Sequence, residues 1–351
     1  MTPHPSAGLS TASPLGLHVG ALKILHQHGL ARSGIVSELP TLSTPTYFPA
    51  VSSTCSLGFP DEILRLLIDS GYPRALVSAY DCKRRIVGGL AGAVGLLTAL
   101  RKAGCTLILD SGLFECQVLG ITDWTFEDYV ETSTAVPHDI LLSFDAPASS
   151  RPRAESRPRA HPEVAGKSPE GAITIIHGRD RAAIVDEARR AMVGSPKSGL
   201  AIPDRECGAD LLERVRTVSA VRRAMNATDE QCILHILGCG SPVVMAVYTL
   251  AGADTFDSLD WTQGALDIRS LGLTDPLLLR FTGCRCKVCS ELPGSDIHRA
   301  LLHNLLFYQD FSAQLREMVR NRTTVDFLSA FVGTDQTVKM VEATLSTGPK
   351  A

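Results

Sequence analysis

Aromatic residues are scarce in this 351-residue chain, at 5%, which argues against the stacking platforms that bind single strands without sequence preference. Neither charge is in excess. The 34 basic and 37 acidic side chains leave a net charge of −3, so a polybasic, histone-like binder is excluded and any nucleic-acid contact must come from a local patch. The longest weakly polar run, Ile86–Leu100, holds four glycines between Arg85 and Arg101 and falls short of the roughly 20 apolar residues that span a bilayer. Residues 1–20 show no basic stretch followed by an apolar one, hence no secretion signal. Rich in Ser, Thr, Pro and Gly, they are expected to form a flexible tail. The expectation is a cytoplasmic protein without membrane contact. Apolar residues make up 44% and charged ones 20%, the profile of a globular chain with a sizeable core.

Ten cysteines in a chain this long do not make a small disulfide scaffold. Seven stand alone (Cys55, Cys82, Cys105, Cys116, Cys207, Cys232, Cys239) and read as buried apolar thiols in a reducing compartment. The other three form Cys284-x-Cys286-x-x-Cys289, with His298 and His303 downstream. Three thiolates and one imidazole satisfy tetrahedral zinc and leave no open position, so a structural clamp is expected rather than a catalytic metal. Spacing alone does not choose between the two histidines. His303 opens an apolar-periodic run that reads as a helix able to aim its imidazole back at the thiolates.

Short apolar runs recur along the chain: Thr46–Val51, Ala75–Ala79, Thr106–Leu109, Ile140–Phe144, Ile173–Ile176, Leu200–Ile202, Ile233–Leu237 and Thr255–Leu259. Continuous apolar strands of this kind suit a parallel sheet covered on both faces. Helical stretches such as Asp61–Ser70, Arg179–Met192 and Asp210–Met225 lie between them, with Asp204 and Asp210 at N-cap positions. Eight units in about 215 residues match a (β/α)8 TIM barrel. A doubly wound sheet shares the alternation. The polar residues that end the strands (Asp110, Asp145, His177, Pro203, Gly238, Asp257 or Asp260) favour the barrel, whose C-terminal rim assembles chemistry. The expected organisation is a tail over 1–20, a barrel over 21–275 and a zinc-binding subdomain with C-terminal helices over 276–351. Residues 146–171, rich in Pro, Ser and Arg without apolar period, read as a disordered basic loop; the alternative is an arm that touches phosphates.

Asp110 and Asp257 are the candidates for chemistry. Two carboxylates at one barrel mouth can divide labour, one attacking a sugar carbon and the other shuttling a proton. The bland reading of each is a helix cap or loop closure. Asp254 competes with Asp257 and reads as structural. Gly238-Cys239-Gly240-Ser241-Pro242 is a weak match to a dinucleotide fingerprint and reads as a turn over the barrel mouth. Trp124 reads as a packed helix residue.

Several runs, taken in order over about 30–310, resemble the tRNA-guanine transglycosylase family. They are Ala31-Arg32-Ser33-Gly34, Thr44-Pro45-Thr46-Tyr47-Phe48-Pro49-Ala50-Val51, Asp110-Ser111-Gly112-Leu113-Phe114-Glu115, Ser143-Phe144-Asp145, Gly199-Leu200-Ala201-Ile202, Leu237–Pro242, Gly252–Ser258, the cysteine cluster and His303–Tyr308. The resemblance implies a barrel with a structural zinc subdomain and a pentosyl transfer that replaces a guanine in a polynucleotide by a 7-deazaguanine such as preQ0. It implies that Asp257 is the nucleophile on C1′ and Asp110 the general acid and base. It places Ser111, Asp145, Gly199 and Leu200 on the base, stacks Phe114 on it, and makes Cys284, Cys286, Cys289 and His303 the Zn2+ ligands. No nucleotide cofactor is implied. The partners it allows are the nucleic acid, the 7-deazaguanine base, a homodimer and accessory modification proteins.

The chain departs from the family in places. The usual Asp-Ser-Gly-Gly-Phe-Gln is Asp-Ser-Gly-Leu-Phe-Glu here, so Leu113 and Glu115 reshape one pocket wall. His177 stands where a base-reading Gln is usual, and Asp260-Trp261-Thr262-Gln263 replaces a Pro-Thr-Arg run that grips the anticodon arm. Chemistry residues are kept while polymer-gripping ones differ, which resembles the DNA-modifying branch and makes DNA the favoured polymer. The alternatives are a divergent tRNA enzyme or a non-catalytic zinc-bearing partner subunit.

Overall fold

The computed structural model describes residues 21–144, 169, 171–194, 199–228, 231–291, 294–323, 329 and 335–346. The expected N-terminal tail and nearly all of the basic segment 146–171 lie outside them. An antiparallel sheet of β1 (Leu22–His28), β2 (Ala31–Val36) and β3 (Leu39–Thr44) comes first. Eight parallel strands follow: β4 (Thr46–Val51), β5 (Arg74–Ser78), β6 (Thr106–Asp110), β7 (Ile140–Leu141), β8 (Thr174–Ile175), β9 (Gly199–Pro203), β10 (Ile233–Leu237) and β11 (Thr255–Ser258). β4 pairs with β5 on one side and β11 on the other, so the sheet runs in sequence order around a ring. The ring closes between β7 and β8, where Leu142 bridges Ile173. There the Ile173 N–H donates to Leu141 O at 2.8 Å and the Ser143 N–H to Ile173 O at 2.9 Å. The fold is a (β/α)8 barrel.

The strands are apolar on both faces because each face has its own core. Tyr47, Val51, Ala75, Val77, Leu107, Leu109, Leu200, Ile202, Leu234, Ile236 and Phe256 pack outward into the helical layer. The alternate residues Phe48, Ala50, Leu76, Ile108, Ala201 and Ile233 fill the interior, together with Leu22, Val36, Leu39 and Leu42 of the antiparallel sheet. That sheet therefore plugs the N-terminal end of the barrel. The period of two also fixes that His235 on β10, and Thr255 and Asp257 on β11, face inward.

The outer layer holds α1 (Pro60–Ser70), α2 (Ala79–Arg84), α3 (Gly89–Lys102), α4 (Leu113–Leu119), α5 (Phe126–Ala135), α6 (Arg181–Gly194), α7 (Leu211–Asn226) and α8 (Pro242–Leu250). A β-hairpin, β12 (Ala265–Leu266) with β13 (Leu273–Thr274), then leads to α9 (Lys287–Glu291), the long α10 (Asp296–Asn321) and α11 (Asp335–Ser346). Asp210 caps α7, accepting the Glu213 N–H at 2.9 Å. Asp204 is not a cap. It opens a 3-10 turn, and its carboxylate accepts from Arg214 Nη1 at 2.7 Å and Tyr248 OH at 2.6 Å. Trp124 lies in the segment before α5, not in a helix, and donates from Nε1 to Ser111 O at 2.9 Å. Of the seven lone cysteines six are buried, whereas Cys55 is half-buried.

Under β11 lies a buried ionic cluster. Arg32 grips Asp254 through two hydrogen bonds of 2.8 Å, Arg222 adds one of 2.6 Å, and the Leu234 N–H donates to the same carboxylate at 2.7 Å. The guanidiniums are further tied to backbone, Arg32 to Cys232 O and Arg222 to Gly252 O. Burial would raise the Asp254 carboxyl, but the two guanidiniums and the Leu234 N–H outweigh it and hold it below the ordinary range. Asp254 is thus a structural residue. Arg222→Ala leaves the carboxylate under-compensated in the core and is expected to cost about 3–5 kcal/mol of stability in urea unfolding; a loss below about 1 kcal/mol would contradict the clamp.

Candidate active site

A cavity of about 290 Å³ opens at the C-terminal ends of the barrel strands, near the lower end of the roughly 300–1,000 Å³ of small-molecule pockets. Asp110, Ser111 and Phe114 line it from the β6 side, Leu237 and Gly238 from β10, and Asp257 and Asp260 from β11. Two glycines make the turns possible. Gly112 has φ +89°, and a Cβ there would come 2.5 Å from Tyr80 Cβ. A Cβ on Gly240 would come 2.0 Å from Ser258 Oγ, so only glycine lets the β10–α8 turn lie against the end of β11.

Asp257 is held from one side. His235 Nε2 lies 3.0 Å from its Oδ1, and the Gly238 N–H donates to the same oxygen at 3.2 Å. The other imidazole nitrogen, Nδ1, is 2.8 Å from Thr255 Oγ1. A carboxylate only accepts, so Nε2 carries the proton and Nδ1 takes the Thr255 hydroxyl. Both hydrogen bonds fall on Oδ1, and none among the described residues falls on Oδ2. Across the cavity, Asp110 accepts the Gly112 N–H at 3.0 Å through Oδ2.

A further carboxyl group was not singled out for chemistry by sequence reasoning. Glu115 is buried in the same wall and accepts hydroxyl hydrogen bonds from Ser52 at 2.5 Å and Ser78 at 2.9 Å. Burial, and then the neighbouring Asp81 and Asp110, push its pKa up to about 8. Asp81 is also raised, chiefly by burial. Asp260 shares the upward direction, from burial and then from Asp257 and Asp204. Burial and the neighbouring carboxylates all disfavour a negative charge on Glu115.

The other expected contacts are placed differently. His177 lies two residues past β8, but its Nδ1 is 3.0 Å from Glu206 Oε1 and it does not line the cavity. Gly199 and Leu200 open β9 at its N-terminal end, about 13 Å along the strand from the mouth. At the cavity stand Pro203, the last residue of β9, and Asp204 and Arg205 of the 3-10 turn that follows. Asp145 lies outside the described residues. The Gly238–Pro242 turn does lie at the mouth, where Gly238 serves Asp257.

Beyond the barrel, Cys284, Cys286 and Cys289 surround His303. Their sulfurs lie 3.7, 3.4 and 3.5 Å from His303 Nδ1, and all four ligand atoms fall within 4.8 Å of one another. Tetrahedral zinc with ordinary bond lengths requires sulfur-to-nitrogen edges of about 3.6 Å, so the donor set fits such an ion. His303 Nε2 donates to Leu266 O at 2.8 Å, which turns the Nδ1 lone pair toward the sulfurs. His298 is absent from the group and lies in the first turn of α10, where its backbone N–H donates to Ser295 Oγ.

No family model matches the chain. Curated relatives do. The tRNA-guanine(15) transglycosylase of Methanosarcina acetivorans is 22% identical over 292 residues, covering 74% of this chain and 54% of that protein. Its namesake in Haloferax volcanii is 26% identical over 291 residues, 76% of this chain and 52% of that protein. In Archaeoglobus fulgidus the figures are 26% over 293 residues, 74% and 55%. The chain is homologous to tRNA-guanine transglycosylases. It spans about half the length of the curated relatives it matches.

Relative to the transglycosylase pattern, Glu115 stands where the family has a neutral Gln, and burial keeps it neutral too. This has a measurable sign. Glu115 takes up a proton on folding between its ordinary 4.5 and about 8, so it lowers stability as pH rises through that window, with no further change above it. Glu115→Gln is expected to flatten the decline, and its advantage over the wild type in urea unfolding should grow from about pH 5 to about pH 8. Parallel pH profiles for the two proteins would contradict this assignment.

Proposed function

We propose that this chain carries out guanine transglycosylation on tRNA, replacing a guanine by a 7-deazaguanine through a covalent intermediate on Asp257. The observation that carries the reading is the convergence of Asp257, Asp110, Ser111 and Phe114 on one cavity at the barrel mouth, together with homology to proteins named for this exchange. Their printed names specify tRNA, so tRNA, the alternative weighed in the sequence, takes the place of DNA as the polymer.

In this reading Asp257 Oδ2 attacks C1′ of the target nucleotide, and the C1′–N9 bond breaks as Asp110 gives a proton to the departing guanine. Asp110 then takes the proton from N9 of the incoming 7-deazaguanine, which attacks C1′ and releases Asp257. Each displacement inverts C1′, so the pair retains configuration. One glycosidic bond replaces another of similar energy, so no nucleotide cofactor is consumed. His235 and Gly238 hold Asp257 Oδ1 and turn Oδ2 toward the sugar. The nucleotide must leave its stack to enter; Phe114, 41% exposed at the rim, offers a ring to the flipped base, and Ser111 a hydroxyl. Cys284, Cys286, Cys289 and His303 would hold a structural Zn2+, remote from the reaction. With tRNA as the polymer, this reading expects a cytoplasmic protein.

The test is incubation with bulk tRNA and, separately, duplex DNA, each with a 7-deazaguanine base, followed by nucleoside digestion and mass spectrometry. The deazaguanine ribonucleoside should form with the wild type and fall at least 10³-fold with Asp257→Asn. The deoxynucleoside alone would make DNA the polymer, and exchange undiminished in Asp257→Asn would overturn the catalytic assignment. Elemental analysis should find about one zinc per chain, lost in Cys286→Ser; a full zinc content in that variant would remove it from the ligand set.

A further inference from the structure

A second and larger cavity, about 1300 Å³, lies outside the barrel between α6 and α7, with Thr344 of α11 at its edge. Seven arginines line it against four carboxylates, in a chain whose net charge is −3. Part of this charge is neutralised internally: Arg214 pairs with Asp204 at 2.7 Å and Arg189 with Asp186 at 3.0 Å. Glu206 is engaged with His177, and Glu213 accepts the Ala209 N–H. Arg181 on α6 and Arg216 on α7 are exposed and have no ion-pair partner among the described residues. The groove thus keeps fixed positive charge that the protein itself does not compensate. Arg205 joins it to the chemistry, because that side chain lines both the groove and the catalytic cavity.

We propose that the α6–α7 groove binds the phosphate backbone of the polynucleotide whose flipped nucleotide occupies the catalytic cavity. This rests on the base-exchange reading for the identity of the polymer, while the groove itself is argued from charge and place. A strand with one nucleotide in the cavity must leave the mouth past its rim, and the rim residue Arg205 opens directly onto the arginine-lined side. Guanidinium groups suit phosphate oxygens, which they meet with two parallel N–H donors. The contacts would be to the backbone and blind to sequence, supplying affinity and register rather than base choice. They also offer a grip where the chain lacks the Pro-Thr-Arg run after Asp257.

Binding of bulk tRNA and of a duplex DNA oligonucleotide is measured against salt for the wild type, Arg181→Ala, Arg216→Ala and Arg190→Ala. Arg190 lies on the same helix, pairs with Glu187 at 2.5 Å and is outside the groove, so it controls for net charge. Each phosphate contact contributes about −0.7 to −0.9 to the slope of log K against log salt. Arg181→Ala and Arg216→Ala should each weaken binding and make the slope shallower by nearly one, whereas Arg190→Ala should leave the slope at its wild-type value. Slopes for all three variants equal to the wild type, or an equal change with Arg190→Ala, would overturn the groove. Wild-type exchange with unaltered slopes sinks the groove alone. Altered slopes without any exchange keep the groove and sink the catalytic reading.

Discussion

The placement of Asp257 depends on the charge clamp beneath it. β11 is only four residues long and cannot fix its own register by ladder hydrogen bonds alone. Asp254, just before it, is seized by Arg32 from the N-terminal sheet and by Arg222 from α7. That ties three separate parts of the chain to one carboxylate at the closed end of the barrel. Three residues further along, Asp257 emerges at the open end. A slip of one residue would turn Asp257 into the helical layer and Phe256 into the interior, so the clamp at one end decides which way Asp257 faces at the other.

The second support is α10. His303 on this helix joins the cysteine group, and its neighbour Asn304 donates to Trp261 O and Gly264 O and accepts from the Leu266 N–H. Farther along, Tyr308 donates to Gly240 O and stacks on Tyr47 with ring centroids 3.9 Å apart, while Ser312 Oγ accepts the Tyr47 N–H. One helix thereby connects the Cys3His group to the turn that carries Gly238 over Asp257. A metal there would act on the barrel mouth only by holding α10, which suits a donor set with no open position.

Much of this was legible in the sequence. Eight apolar runs gave the barrel because buried parallel strands need no polar face, and strand-end carboxylates marked the mouth. The cysteine spacing marked a group that could hold a metal without choosing between His298 and His303; the resemblance named His303, and the helix register brings it to the thiols. Other features depended on which face a residue takes. His235 is the lone polar residue in an apolar strand, and only the period of two around the barrel aims it at Asp257 rather than at the helices. Glu115 looks like an ordinary first-turn acid, and its burial beside Asp81 and Asp110 is a tertiary fact. Gly199-Leu200 matched a family motif by composition, yet β9 runs on to Pro203 and carries Asp204 and Arg205 to the mouth instead.

The central claim is that Asp257 forms a covalent bond to the sugar of the exchanged nucleotide. The direct measurement is to quench a reaction with bulk tRNA by denaturation, digest protein and nucleic acid, and map the modified peptide by mass spectrometry. The account predicts a ribosyl-nucleotide mass on the peptide containing Asp257, localised to that side chain and absent in Asp257→Asn. Exchange that proceeds with no adduct, or with the adduct on Asp110 or another residue, would contradict it.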